Sequence, residues 1–182
     1  NFYKKSGVKE LNATLVSKAI NDILGGNQGV LDEQSASMVL NNYFNALSTE
    51  KSKGVISAGE KFLAENKSKP GVKTTASGLQ YQVLTEGTGA KPTSATDNVT
   101  VNYKGTFLDG TEFDNSYTRG QPATFALNQV IPGWTEGLQL MSTGSKYKFW
   151  VPYNLGYGIN GRQGIPGGSL LVFEVELLEV KK

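Results

Sequence analysis

Between Tyr103 and Asp114 the chain gathers two kinds of side chain able to take part in chemistry: rings at Tyr103, Phe107 and Phe113, and carboxylates at Asp109, Glu112 and Asp114. Three acids so close together raise the question of a cation site. Their spacing is not that of a calcium loop, and Leu108-Asp109-Gly110-Thr111 reads as a hairpin turn, so no metal is expected. A second string, Gly156-Tyr157-Gly158-Ile159-Asn160-Gly161, spells G-x-G-x-x-G but does not lead from a strand into a helix. It reads as a Gly-rich surface loop, and no nucleotide cofactor is expected. Asn12-Ala13-Thr14, Asn66-Lys67-Ser68 and Asn98-Val99-Thr100 are glycosylation triplets of the sort that chance supplies at this composition. The 182 residues include no His and no Cys, which removes Cys/His zinc sites, thiol nucleophiles, disulfides and every His-based triad or dyad. Little conventional acid/base or covalent chemistry is left.

The elements that must hold these residues follow from periodicity. After Gly71 the apolar pattern has period two, and predicts strands over residues 79–84, 99–107, 123–127, 147–151 and 170–180. Val99, Val101, Tyr103 and Phe107 share one face while Thr100, Asn102, Lys104 and Thr106 share the other, which is the pattern of an antiparallel sheet wet on one side. Pro132 suits the first position of a short helix that turns Trp134, Leu138 and Met141 the same way. A twisted sheet wrapped on that helix would enclose an aromatic-rich hollow.

Before Gly71 the period is helical. Leu11, Leu15, Ala19 and Ile23 form one stripe, with Val16, Ile20 and Leu24 beside it, and Gly25-Gly26 stops the helix. A second helix is predicted from an Asp32 cap, with a Leu31–Ala36 staple, through Val39, Leu40, Tyr43 and Leu47 to Asn66. Its C-terminal half, sparse in apolar residues, is expected to be largely solvated, and Gly54 and Gly59 weaken it by about 1 kcal/mol each. Lys67-Ser68-Lys69-Pro70-Gly71 should end it and mark a domain boundary. The expected class is α+β: a C-terminal antiparallel sheet on one short helix, preceded by an all-α region with a long linker helix. A net charge of +2, from 18 Lys+Arg against 16 Asp+Glu, argues against a nucleic-acid-coating role. The lack of Cys suits oxidising and reducing compartments alike.

Tyr103-Lys104-Gly105-Thr106-Phe107-Leu108-Asp109-Gly110-Thr111-Glu112-Phe113-Asp114-Asn115-Ser116 resembles the signature of FK506-binding-protein (FKBP) type peptidyl-prolyl isomerases. Val130-Ile131-Pro132-Gly133-Trp134-Thr135-Glu136-Gly137-Leu138 is similar to that family's pocket-floor helix, and Leu171-Val172-Phe173-Glu174-Val175-Glu176-Leu177-Leu178 to its closing strand. The lead-in from Phe62 to Val72, with Ser77-Gly78-Leu79-Gln80-Tyr81, resembles the macrophage infectivity potentiator (Mip) branch and its periplasmic relatives.

The resemblance implies a helical dimerisation and linker region over 1–66 and an isomerase domain over 67–182. It implies an enzyme that accelerates Xaa-Pro isomerisation during folding without any cofactor, acting as a dimeric folding chaperone in the periplasm or outer membrane of a Gram-negative bacterium, with the cytoplasm also compatible. Proline-containing unfolded chains are the implied partners, and macrolides of the FK506/rapamycin type the implied inhibitors. The catalytic positions carried over are Tyr103, Phe113, Asp114, Trp134, Tyr157 and Phe173, and the substrate-binding ones Phe125, Val130, Ile131 and Ile165. In this scheme Trp134 is the floor, the Ile131 N–H and Tyr157 hydroxyl hold substrate carbonyls, and Asp114 acts electrostatically or through Tyr103. Ala123, where many members have Phe, and Gly161-Arg162, where some have His, depart from the pattern at the rim. The rival expectation is a holdase that captures Pro-containing segments in the same pocket without turnover.

Overall fold

The computed structural model describes residues 13–26 and 33–181, which fall into two compact units divided between Glu50 and Lys51. In the first unit, α1 (Ala13–Leu24) ends where Gly25 N–H returns to the Asn21 carbonyl at 2.9 Å and Gly26 takes φ 72°. Helix α2 (Glu33–Asn66) runs unbroken through Gly54 and Gly59, as the periodicity predicted, and its N-terminal part belongs to this unit. Leu24, Met38 and Tyr43 are 81%, 60% and 46% exposed, so the single chain leaves large apolar side chains of this unit in water. Leu11, the Asp32 cap and Leu31 lie outside the described residues, and so do the side chains of Leu15, Val16, Ala19, Ile20, Ile23, Ala36, Val39 and Leu40.

The second unit is an antiparallel sheet of seven strands: β1 (Val72–Thr74), β2 (Gln80–Thr85), β3 (Asn98–Thr106), β4 (Glu112–Asn115), β5 (Ala123–Ala126), β6 (Lys146–Val151) and β7 (Leu171–Lys181). The order is β1-β2-β6-β7-β3-β4, with β5 pairing the first half of β3 beside β4. The long central pairing of β3 with β7 sets Tyr103 opposite Val175 and Gly105 opposite Phe173. Alternation decides what each face carries. Val99, Val101 and Tyr103 of β3 point inward with Phe173, Val175 and Leu177 of β7, all at most 5% exposed. Helix α3 (Pro132–Leu140) lies on that inner face and buries Trp134 and Leu138, followed by buried Met141, as their spacing required.

The five strands expected from alternation are present within a residue or so at each end. Strands β1 and β4 were not foreseen, since three and four residues are too short to display a period. The C-terminal part of α2 is mostly exposed, as expected, but one stripe of it packs on the outer face of the sheet. Phe62 and Leu63 sit against Trp150, Leu170 and Val172. Gly59 faces Leu170 so closely that a Cβ would stand 3.2 Å from the leucine Cβ. Buried Asn66 donates to the Gln80 side-chain oxygen at 2.9 Å, while the Gln80 amide donates at 2.8 Å to the Leu63 carbonyl, which also accepts the Lys67 N–H at 3.1 Å. Residues 51–66 therefore belong to the compact unit of the sheet.

Candidate functional site

Tyr103 comes from β3, Phe113 and Asp114 from β4, Phe125 from β5, Trp134 from α3 and Phe173 from β7. These elements are far apart in sequence, yet the inner face of the sheet and the helix laid on it bring the rings into one cluster. Trp134 is its centre, with Tyr103 at 4.9 Å, Phe173 at 5.2 Å and Phe125 at 5.8 Å between ring centroids, all close to edge-on. Such edge-to-face contacts set the positive rim of one ring against the negative face of the next. Phe113 packs perpendicular to Phe173 at 5.5 Å, and Phe107 extends the row at 5.0 Å from Phe113. Gly105 makes that approach possible, because a Cβ there would fall 2.7 Å from the Phe113 ring and 2.9 Å from the Phe173 ring.

Val130, Ile131, Tyr157 and Ile165 pack against the same cluster, so nine of the ten carried-over residues share it. The tenth, Asp114, reaches it through hydrogen bonds. Its carboxylate accepts from the Tyr103 hydroxyl at 2.6 Å and is paired with the Arg119 guanidinium, which also donates to the Tyr103 hydroxyl at 2.8 Å and lies 5.3 Å from that ring's centroid. Burial, then the carboxylate beside it, pushes the Tyr103 phenol above its usual range, so it stays a protonated donor at neutral pH. Buried Ser116 fixes this corner: its hydroxyl accepts from the Tyr103 N–H at 2.9 Å, and its own N–H donates to the Tyr103 carbonyl at 2.9 Å.

Three donors at the cluster are uncommitted. The Trp134 indole N–H is buried without a partner among the described residues. The Ile131 carbonyl receives the Trp134 and Thr135 N–H groups at the start of α3, but its own N–H meets no acceptor among them. The Tyr157 hydroxyl likewise has no described partner, and its ring is covered by Arg162 at 4.8 Å. Tyr157 and Ile165 sit on a loop of 15 residues between Gly156 and Leu170, closed at Arg162–Ile165 by reciprocal backbone bonds of 3.0 and 2.9 Å.

Sequence reasoning missed Arg119, Ser116 and the part played by Phe107. Ser116 and Phe107 lay inside the quoted motif without a role. Nothing marks Arg119, since the turn that returns it to Asp114 has no periodic signature. The clefts of about 570 Å³ beside Phe62, Gln82 and Trp150, and of about 450 Å³ beside Val55, Leu108 and Leu170, contain none of the ten residues. The arrangement offers an apolar, ring-lined surface, three free donors and a carboxylate already held by Tyr103 and Arg119. It can desolvate and orient an amide, and it has no relay for moving protons.

The chain matches two family models, "FKBP-type peptidyl-prolyl cis-trans isomerase" over residues 89–178 and "Domain amino terminal to FKBP-type peptidyl-prolyl isomerase" over residues 2–83. It is 51% identical over 183 residues to the FKBP-type peptidyl-prolyl cis-trans isomerase FkpA of Aeromonas hydrophila, covering 97% of this chain and 67% of that protein. It is 41% identical over 188 residues to the outer membrane protein MIP of Legionella longbeachae, covering 99% of this chain and 80% of that one. The crystal structure of FkpA from Escherichia coli superposes with a TM-score of 0.73 at 40% identity, over 98% of this chain and 85% of the other.

Proposed function

Since the chain belongs to the FKBP-type peptidyl-prolyl cis-trans isomerases, we propose that the aromatic cluster around Trp134 is where it twists the Xaa-Pro amide. The isomerase activity itself follows from family membership; the assignment of roles rests on the geometry. The barrier to be lowered, about 18 to 20 kcal/mol, is the resonance that keeps the amide planar. Resonance places partial negative charge on the amide oxygen, and water favours that polar, planar form. A proline ring set on Trp134 among Phe113, Phe125 and Phe173 leaves water behind, and the twisted form becomes relatively cheaper. The Ile131 N–H and Tyr157 hydroxyl, both free, hold flanking carbonyls so that the peptide arrives oriented. Tyr103 is locked by Asp114 and Arg119, and Asp114 has no proton to abstract because no bond to hydrogen changes in the reaction.

The observation that carries this reading is the gathering of rings from four strands around one buried tryptophan: Tyr103, Phe125 and Phe173 against Trp134, and Phe113 against Phe173. The test is the cis-to-trans rate of a short Xaa-Pro peptide with Trp134→Leu beside the parent chain. Loss of most of the rate enhancement in a folded variant supports the reading. Unchanged catalysis sinks it, and no catalysis by the parent together with suppressed aggregation of a proline-free client would favour a holdase.

Four further features are part of the proposal. The N-terminal region pairs two chains, supported by the exposed Leu24, Met38 and Tyr43 and by the match to a domain amino terminal to the isomerase. The functional division is 1–66 and 67–182, with the rider that residues 51–66 pack with the sheet. The workplace is the Gram-negative envelope, supported by the name of the Legionella relative, and the ligands are proline-containing chains and, at the same pocket, FK506-type macrolides.

A further inference from the structure

The loop that carries Tyr157 and Ile165 is not held only by itself. From the far side, Ser52 of α2 donates its hydroxyl to the Ile159 carbonyl at 3.2 Å, 107 residues away. A serine inside a helix ordinarily turns its hydroxyl to water or to the carbonyl one turn back. Ser52 is instead 5% exposed, and a hydroxyl taken out of water at that depth is costly unless it is bonded.

The packing around that bond is tight. Gly168 has φ +78°, and a Cβ there would lie 2.6 Å from Ile56 Cγ1 and 3.0 Å from Ser52 Cβ. At Gly167 a Cβ would strike the Ile159 carbonyl oxygen at 1.9 Å and approach the Ser52 hydroxyl at 2.8 Å. The helix face and the loop backbone thus meet with no side chain between them. Within the loop the Gly168 N–H bonds the Gly158 carbonyl at 2.9 Å and the Gly161 N–H the Tyr157 carbonyl at 3.2 Å, so a fixed Ile159 fixes the turn that starts at Tyr157.

We propose that Ser52 is a positioning residue for the isomerase: by holding the Ile159 carbonyl against α2 it sets the height of the Tyr157 turn over the aromatic cluster. Helix α2 then forms the back wall of the substrate site as well as the link to the N-terminal unit. The inference rests on the reading of Tyr157 as a substrate-binding residue. Removing one ordinary hydrogen bond leaves the loop freer and weakens its grip on the peptide, while the rings that desolvate the amide stay where they are. The effect belongs in KM.

The experiment uses the full chain with Ser52→Ala, Tyr157→Phe and, as a helix-surface control, the exposed Ser57→Ala. A folded Ser52→Ala is expected to raise KM for an Xaa-Pro peptide about 2- to 10-fold, the factor for a bond of ordinary strength, with kcat within about twofold of the parent. The amides of Gly158, Gly161 and Gly168 should exchange with solvent about as many times faster, while those of β3 are unchanged. Tyr157→Phe should raise KM similarly without altering loop exchange, and Ser57→Ala should change neither. Parent KM in Ser52→Ala alongside a raised KM in Tyr157→Phe overturns the positioning role alone, as does unchanged loop exchange. A parent KM in Tyr157→Phe overturns the pocket reading on which the inference stands.

Discussion

Replacing Gly105 by Ala adds one methyl group between the two rings that wall the site. The new Cβ would stand 2.7 Å from Phe113 Cζ and 2.9 Å from Phe173 Cε1, whereas carbon atoms rest at about 3.5 to 4.0 Å. Each ring must therefore withdraw by about 1 Å. Phe173 cannot go far, since it is 4% exposed and lies edge-on to Trp134 at 5.2 Å. Phe113 is half-buried and gives way first, toward Phe107. Overpacking of this size costs about 1 to 3 kcal/mol of stability, and a displacement of about 1 Å in a positioned wall costs up to about 100-fold in rate. The assays are thermal unfolding and peptide kcat/KM. Gly105→Ala is expected to stay folded and to lose about 10- to 100-fold in kcat/KM. Adding Phe113→Leu should return stability by making room, but not activity, because the ring itself is then missing. A stable Gly105→Ala protein with the parent's kcat/KM would refute the claim that these two rings bound the reacting amide.

Asp114→Leu removes the acceptor of Tyr103 and the partner of Arg119 without opening the core. Turnover of the same peptide should fall by about 10- to 100-fold, roughly 1.4 to 2.7 kcal/mol, in a folded protein, and wild-type turnover would leave the Tyr103 network without a catalytic part. A fragment starting at Lys51 should melt like the C-terminal unit of the full chain, whereas one starting at Lys67 exposes Trp150, Leu170 and Val172 and leaves the buried Gln80 amide without Leu63. The shorter fragment should be less stable by about 3 kcal/mol in denaturant unfolding, counting two half-buried apolar side chains and one orphaned amide, and equal midpoints would contradict the packing assigned to residues 51–66. Burial, reinforced by Glu86, pushes the buried Tyr147 phenol up to about 12. The folded state then keeps a proton that the unfolded chain releases from about pH 10, so stability should decline between about pH 10 and 12, and Tyr147→Phe should flatten that decline. Sedimentation of the full chain at micromolar concentration should give about twice the monomer mass, and a monomer would contradict pairing through the N-terminal unit.

How much of this was legible in the sequence depended on whether a contact leaves a periodic trace. Strand β3 announces itself because Val99, Val101 and Tyr103 must all turn inward while Thr100, Asn102 and Lys104 stay wet. Helix α3 does so through Pro132 and the spacing of Trp134, Leu138 and Met141. The face of α2 that packs on the sheet and on the loop before β7 includes Ser52, Gly59 and Asn66 among its contact residues, buried yet small or polar. A hydrophobic pattern cannot register a surface whose fit depends on lacking side chains and on a hydroxyl and an amide that find partners elsewhere. The ten carried-over positions came from motif resemblance, and the fold brings them to one place. Arg119 and Ser116 were invisible because their meaning lies in where the turn after β4 returns, which tertiary structure alone decides.

Under the proposed mechanism the site accelerates isomerisation by desolvating and orienting an amide, with no proton transferred. The protein's environment carries several groups away from neutrality: the Tyr103, Tyr117 and Tyr147 phenols and the Arg119 guanidinium move up, and the Asp109 carboxyl moves down. With no His or Cys in the chain, the deciding measurement is the pH dependence of kcat/KM for a short Xaa-Pro peptide between about pH 6 and 8. A flat profile is predicted, unchanged in Asp114→Asn apart from its height. A bell-shaped profile, or complete loss of activity in a folded Asp114→Asn protein, would contradict it.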